Sequence, residues 1–543
     1  MNEKTILILG AGLMQKPAFL AVKEMGFKSA AVDGNPSAVC ASDADFFKPV
    51  DLKDKDGILA FARELIKSQN LCAIFTAGTD FSASVSYVAE KLGLPCHSYE
   101  AALNASIKDR MRSCFDTHKV PSPHYRSFKT GDELPEDLNF PLVVKPVDNM
   151  GARGCRLARN REELESAVYT AQNNSRSQTV IIEDFIDGEE FSIDALVYNG
   201  TMTITGFAVR HIYFPPYFIE TGHTMPCPSD KIDETKRREL IAAFALGVKA
   251  LGLTHGAAKA DIKYSAKGPV IGEIAARLSG GYMSGWTFPY ASDLNLTRQG
   301  ILIAAGMQPV ELEARRVPVD FTPHSSCAFA QKPFDLYEIP CVCCSAERAW
   351  ISIPGRIAGI YGIKEAEIMP FVKNVFSRPV KEGSDVDFPR NNVEKCGNII
   401  TRAPSFAEAA EAAENAVSNI FVRLEPNNPR TETFLEGRTL PDENGFPPCA
   451  FESFSELDNV DLRGEIPAGE SVLASAHGEL RSLIERSQKD WSHSTALDAA
   501  RRFDEKMPNH PAIKKERFWR ALFKGGFQAA VYVSDTEAIK LQS

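Results

Sequence analysis

The chain has 543 residues, 44% hydrophobic and 24% charged. At roughly 100–200 residues per domain this exceeds one hydrophobic core, and it is too apolar for general disorder. The 61 basic and 71 acidic residues give a net charge of −10. That argues against a nucleic-acid coat or an anionic-membrane binder and leaves room for a local basic pocket. No apolar run approaches the ~20 residues that span a bilayer, and the run 5–9, broken by Gly10, is too short for a signal peptide. The twelve cysteines are scattered. The cluster Cys341-Val342-Cys343-Cys344 lacks a second pair at zinc spacing, so a reduced, cytoplasmic chain is expected.

In chain order, 5–9 has the apolar run of a buried parallel strand. It ends in Gly10-Ala11-Gly12, and helix 18–25, a stop at Gly26 and strand 29–32 ending at Asp33 follow. A helix near 58–67 and a strand near 71–75 continue the alternation of an α/β unit. The dinucleotide fingerprint G-x-G-x-x-G needs a third glycine where Gln15 stands, so a tight turn into the helix is the better reading. Residues 106–112 open a helix with a basic cluster containing Lys108, and it leaves through Val120-Pro121-Ser122-Pro123. Residues 140–146 form a strand delivering Lys145, followed by a glycine loop, 148–154, with Gly151 and Gly154. Glycines let backbone N–H groups approach phosphate oxygens, and the lysine supplies a fixed charge.

Two β runs then flank the acidic hinge Glu183-Asp184-Phe185-Ile186-Asp187-Gly188-Glu189-Glu190. Such a hinge offers backbone groups to a purine edge and a carboxylate to ribose hydroxyls. Residues 257–263 and 269–274 pattern as a hairpin presenting Asp261 and Glu273, one carboxylate per strand. Like charges on neighbouring strands call for a counter-ion, and a hard cation bridging phosphates suits them. Arg277 leads into Ser279-Gly280-Gly281, a turn able to present N–H donors to an anion.

These parts, in this order over roughly 1–424, resemble the ATP-grasp superfamily. The resemblance is to its carboxylate–amine branch, which includes L-amino-acid ligases and biotin-carboxylase-like enzymes. It rests on Lys108, Val143-Val144-Lys145-Pro146, the glycine loop, the 183–190 hinge, and the stretch from Glu273 through Arg277 to Gly281. It implies an α/β chain with the ATP-grasp fold: a Rossmann-like N-terminal domain (1–105) and an ATP-grasp domain (106–320, lid about 125–195). A C-terminal α+β domain (321–424) and a helical accessory tail (425–543) complete it. By the resemblance Lys108, Lys145, Gly151 and Gly154 hold ATP phosphates, Glu183, Asp184, Phe185 and Ile186 line adenine, and Glu190 holds ribose. Asp261 and Glu273 bind Mg²⁺, and Arg277 steadies the transferred phosphoryl group. The family usually has Asn two residues after the second acid, and here that residue is Ala275.

The aromatic, proline-rich stretch 210–226 has no regular pattern and resembles the substrate-pocket segment of L-amino-acid ligases. Glu220 is then assigned to an amine, and His223 to a substrate carboxylate or acyl phosphate. This stretch and the glycine loop are candidate lids. The implied activity is an ATP- and Mg²⁺-dependent ligase joining a carboxylate to an amine through an acyl phosphate. Its partners are small molecules, without nucleic acid or membrane, and a homodimer is the candidate assembly. A carboxyphosphate-type carboxylase and an ATP-binding protein with little turnover are the alternatives. No biotin-attachment Met-Lys-Met occurs. Further on, the pattern suggests strands at 326–331, 349–353 and 359–363, and a helix over 407–420. A loop at 441–448 and helices at 471–487 and 495–506 follow. Lys514–Arg520 mixes basic and aromatic residues, as one amphipathic helix with Phe518 and Trp519 inward would.

Overall fold

The computed structural model describes residues 3–213, 217–327, 331–378, 380–437 and 448–540. The chain forms two compact units, the first comprising Met1–His211, His223–Ala346 and Arg402–Phe406, the second Ile212–Gly222, Glu347–Thr401 and Ala407–Ser543.

The first unit begins with a four-stranded parallel sheet in the order Phe46–Pro49, Lys28–Asp33, Lys4–Leu9, Asn70–Phe75. Its central strand is buried from Thr5 through Leu9, as expected of a strand covered on both faces. Where the fingerprint lacks its third glycine, the buried Gln15 side chain donates to Ala77 O (2.5 Å) and accepts from Ala77 N (3.1 Å). Gln15 thus ties the turn after strand Lys4–Leu9 to the segment after strand Asn70–Phe75.

Residues 125–184 form a smaller layer, an antiparallel sheet ordered Tyr125–Lys129, Thr179–Asp184, Leu142–Pro146, Arg156–Ala158. Helix Arg161–Asn174 covers it, capped by Asn160. The larger antiparallel sheet runs Gly268–Ala275, Gly256–Ser265, Glu189–Tyr198, Thr201–Tyr213. Helix Glu234–Leu251 packs its apolar face on that sheet and stops at Gly252, whose φ of 80° suits only glycine without strain.

Several expectations are corrected here. The stretch 210–226 is not irregular: strand Thr201–Tyr213 enters it and strand Ile219–Met225 leaves it, buried at all seven residues. An enclosed strand is no lid. Residues 214–216 of that stretch lie outside the described residues. Of the strand expected at 326–331, Cys327 instead closes a turn onto His324 (2.9 Å) and 328–330 lie outside the described residues. The strand placed at 349–353 runs Cys344–Trp350, and of the helix at 471–487 only Gly478–Glu485 forms. Most of the loop at 441–448 also lies outside the described residues. Strand Asp335–Glu338 pairs in parallel with residues 201–204, which draws 321–346 into the first unit rather than a C-terminal domain. The helix at Phe518 and Trp519 runs on from Lys515 to Lys540, with a break at Gly525–Gly526. It shares one core with residues 350–424, so 425–543 is an integral part of the second unit.

Candidate active site

Two strands and a helix bring the basic residues together. Lys108 opens helix Lys108–His118, and its ammonium donates to Asn149 O in the glycine loop (2.8 Å) and lies 3.6 Å from Glu273. Lys145, on strand Leu142–Pro146, donates to Glu183 Oε2 (2.7 Å). Glu183 is fully enclosed and also accepts from Arg112 Nε (2.7 Å), while Arg112 Nη2 reaches Gly272 O (2.6 Å). Burial pushes the Glu183 carboxyl up, but Arg112 and Lys145 outweigh it and hold it at about 2. The Glu183 side chain is thus committed to these two cations, and the backbone of Asp184, Phe185 and Ile186 continues as the hinge.

At that hinge Lys263 Nζ donates to Ile186 O (3.0 Å), lies 5.2 Å over the Phe185 ring and 3.7 Å from Glu190. Gly188 passes the hairpin so closely that a Cβ would meet Tyr264 O at 2.3 Å. In the glycine loop Gly151, Ala152 and Gly154 all have φ between 61° and 70°. A Cβ on Gly154 would strike the Asn174 side chain at 2.7 Å, while Gly151 faces open space.

The expected hairpin pairs Asp261 directly with Glu273. Period-two alternation puts Lys259, Asp261 and Lys263 on one face. Asp261 is held by Lys259 and by Arg210, whose Nη1 lies 2.9 Å away and which also pairs with Glu190. Burial raises the Glu273 carboxyl, but Lys108, Lys259, Arg277 and Lys145 hold it at about 2. Two half-buried carboxylates on adjacent strands fit a Mg²⁺ that keeps several waters. Ala275, whose side chain brings no donor, stands opposite Lys259. Arg277 is buried, donates to Leu278 O (3.2 Å) and forms no ion pair within 4 Å among the described residues.

His223 is fully buried, with Nε2 2.8 Å from Thr287 Oγ1. Glu220 belongs to the second unit, where its N–H donates to Asn392 Oδ1 (2.8 Å) and its carbonyl accepts from Lys395 (2.8 Å). The structure therefore gathers Lys108, Lys145, Glu183, Glu190, Asp261, Glu273 and Arg277 in one unit, with Glu220 in the other. Sequence reasoning assigned no role to Arg112, Arg210, Lys259 or Lys263. The Lys-x-Asp-x-Lys alternation was the available signal for two of them.

Residues 138–285 match the family model of the ATP-grasp domain, and residues 349–425 match that of the L-amino acid ligase C-terminal domain 2. The chain carries an ATP-grasp domain followed by an L-amino acid ligase C-terminal domain. Among curated proteins it is 25% identical over 384 residues to the uncharacterized protein y4rH of Sinorhizobium fredii, covering 69% of this chain and 73% of that one. It is also 25% identical over 349 residues to carnosine synthase 1 of Gallus gallus, covering 59% of this chain but only 37% of that protein. Of solved structures, L-amino acid ligase from Bacillus licheniformis shares the fold with a TM-score of 0.64 at 20% identity, over 78% of this chain and all of that one. Biotin carboxylase from Campylobacter jejuni does so at 0.54 and 18%, over 77% and 91%.

Proposed function

We propose that this chain is an ATP- and Mg²⁺-dependent ligase that joins a small carboxylic acid, of the amino-acid class, to an amine. The observation that carries the reading is the register-paired Asp261 and Glu273, ringed by Lys108, Lys145 and Arg277, inside an ATP-grasp domain. The L-amino acid ligase domain that follows it supports the choice of acceptor. A carboxylate is a poor acyl donor, so its oxygen first attacks the γ-phosphorus and ADP leaves. The amine nitrogen then attacks the acyl carbon, phosphate departs and the nitrogen gives up a proton. Lys108 and Lys145 hold the phosphates against the glycine loop, the hinge 184–186 takes the base, and Glu190 the ribose. Mg²⁺, held by Asp261 and Glu273, would supply charge neutralisation across the phosphate oxygens. Arg277 meets the charge on the transferred group, and His223 orients the acid. Positioning and fixed charge account for most of the rate, since phosphoryl transfer asks for little covalent work.

The test incubates the protein with Mg²⁺, ATP and amino acids in pairs, measuring ADP, phosphate and coupled product. Carboxylate-¹⁸O must appear in the released phosphate. ATP binding without pair-dependent ADP release overturns the ligase reading, and bicarbonate-dependent release replaces it with a carboxylase.

A further inference from the structure

Asp194 lies in the middle of strand Glu189–Tyr198, wholly enclosed. In register it faces Lys259 on one neighbouring strand and Gly206 on the other. Its Oδ2 accepts two hydrogen bonds from one residue, Ser279 N (3.0 Å) and Ser279 Oγ (2.7 Å). Its Oδ1 has no hydrogen-bond partner among the described residues. Burying a carboxylate is costly unless it is paired and bonded. Here burial drives the carboxyl up to about 6, against the pull of Ser279, Lys259 and Arg277. A loop that needed only two acceptor contacts could be served by a neutral amide, so the charge itself calls for a reason.

The reason lies in what Ser279 belongs to. The turn Arg277-Leu278-Ser279-Gly280-Gly281 is fixed at several points. Gly78 N donates to Leu278 O (3.1 Å), Ala77 bridges Leu278, and Ser284 Oγ donates to Ser279 O (2.5 Å). Gly78 and Gly280 approach so closely that a Cβ on Gly78 would lie 3.1 Å from Gly280 Cα. Asp194 is a buried carboxylate bonded directly to this turn from a neighbouring strand. It also stands beside Lys259, which holds Asp261.

We infer that Asp194 is a positioning residue: through Ser279 it sets the turn that carries Arg277, and so fixes where that guanidinium meets a phosphoryl group. The inference rests on the phosphoryl-handling role proposed for Arg277, and it is separable from the identity of acid and amine. Removing the charge leaves the Ser279 contacts available to an amide but unbalances Lys259 and Arg277, so the turn and its guanidinium relax together.

The test titrates inorganic phosphate calorimetrically into the full chain loaded with Mg²⁺ and ADP. The proteins compared are wild type, Asp194→Asn, Ser279→Ala and Arg277→Gln. Wild type takes up phosphate and Arg277→Gln weakens it. Asp194→Asn weakens it by about 10- to 100-fold, taking as guide the range seen when the outer partner of a metal ligand is removed. Ser279→Ala weakens it less, and ADP affinity stays within about threefold throughout. Unchanged phosphate affinity in Asp194→Asn overturns the inference, as does a wild type that takes up none. Should Asp194→Asn also lose ADP, Ser279→Ala decides, and unchanged phosphate binding there overturns it. Failure of the ligase reading has a different signature: intact phosphate binding with no acid- and amine-dependent ADP release.

Discussion

Glu183 is an enclosed carboxylate shared by two cations of the site, and that sharing makes it structural and electrostatic at once. Removing one partner of a buried ion pair costs about 3–5 kcal/mol, because the remaining charges keep their desolvation penalty without compensation. Glu183→Gln leaves Arg112 and Lys145 in that state, so faster amide exchange in strands 142–146 and 179–184 is expected. The pH dependence has a definite sign. The folded carboxyl is depressed to about 2, so its stabilisation is present above the ordinary carboxylate range and lost as pH falls through it toward 2. The exchange difference between wild type and Glu183→Gln is therefore large at pH 6 and shrinks toward pH 3. A difference constant across that range would refute the pairing. Lys108, Lys145, Asp261 and Glu273 were legible in the sequence because each sits in a short local pattern of strand end, loop or hairpin. The partners that set their charge were not: Arg112 lies 71 residues from Glu183, and Ser279 lies 85 from Asp194.

At the scale of elements, the glycine loop is not a free flap. Asp148, at its start, accepts from Arg176 N (3.0 Å), Ser177 N (2.8 Å) and Ser175 Oγ (2.9 Å), tying the loop to the turn between helix Arg161–Asn174 and strand Thr179–Asp184. Three bonds at about 1 kcal/mol each set the local opening energy at a few kcal/mol. Asp148→Ala is expected to speed tryptic cleavage at Arg153 and Arg176 by ten- to a hundredfold, with Mg²⁺ and ATP restoring part of the protection. Cleavage at the wild-type rate would mean the loop is held by something else. The helix–strand alternation of 1–75 was legible because buried strands and amphipathic helices differ in period. Strand Ile219–Met225 was not, since glutamate, threonines, glycine and histidine fill it and burial on both faces removes any alternation.

At the scale of the molecule, the acidic balance concealed a cationic site, and the length concealed how the last 119 residues are used. Within the second unit, Phe388 packs against Phe434 and Trp491 at ring distances of 5.5 and 4.9 Å, and Phe421 against Phe527 at 5.1 Å. These contacts join 350–424 to 425–540 in one core, a partnership no local pattern announces. The family resemblance ends near 424 although the core does not. Trp519 is fully enclosed and edge-on to Phe518 at 5.1 Å, so Trp519→Ala should cost about 3–5 kcal/mol and raise amide exchange in strands 372–377 and 397–401. Ending the chain after Leu424 removes Phe434, Phe503, Phe518, Trp519, Phe523 and Phe527 together, far more apolar burial than a marginally stable unit can lose. In that truncated chain carrying Trp286→Phe, Trp350 is the sole tryptophan. Trp350 is 3% exposed in the full chain. Once the core is opened its emission should shift to that of a hydrated indole, quenched freely by acrylamide. Protected, blue-shifted emission from Trp350 in the truncated chain would instead make 425–543 a separable appendage.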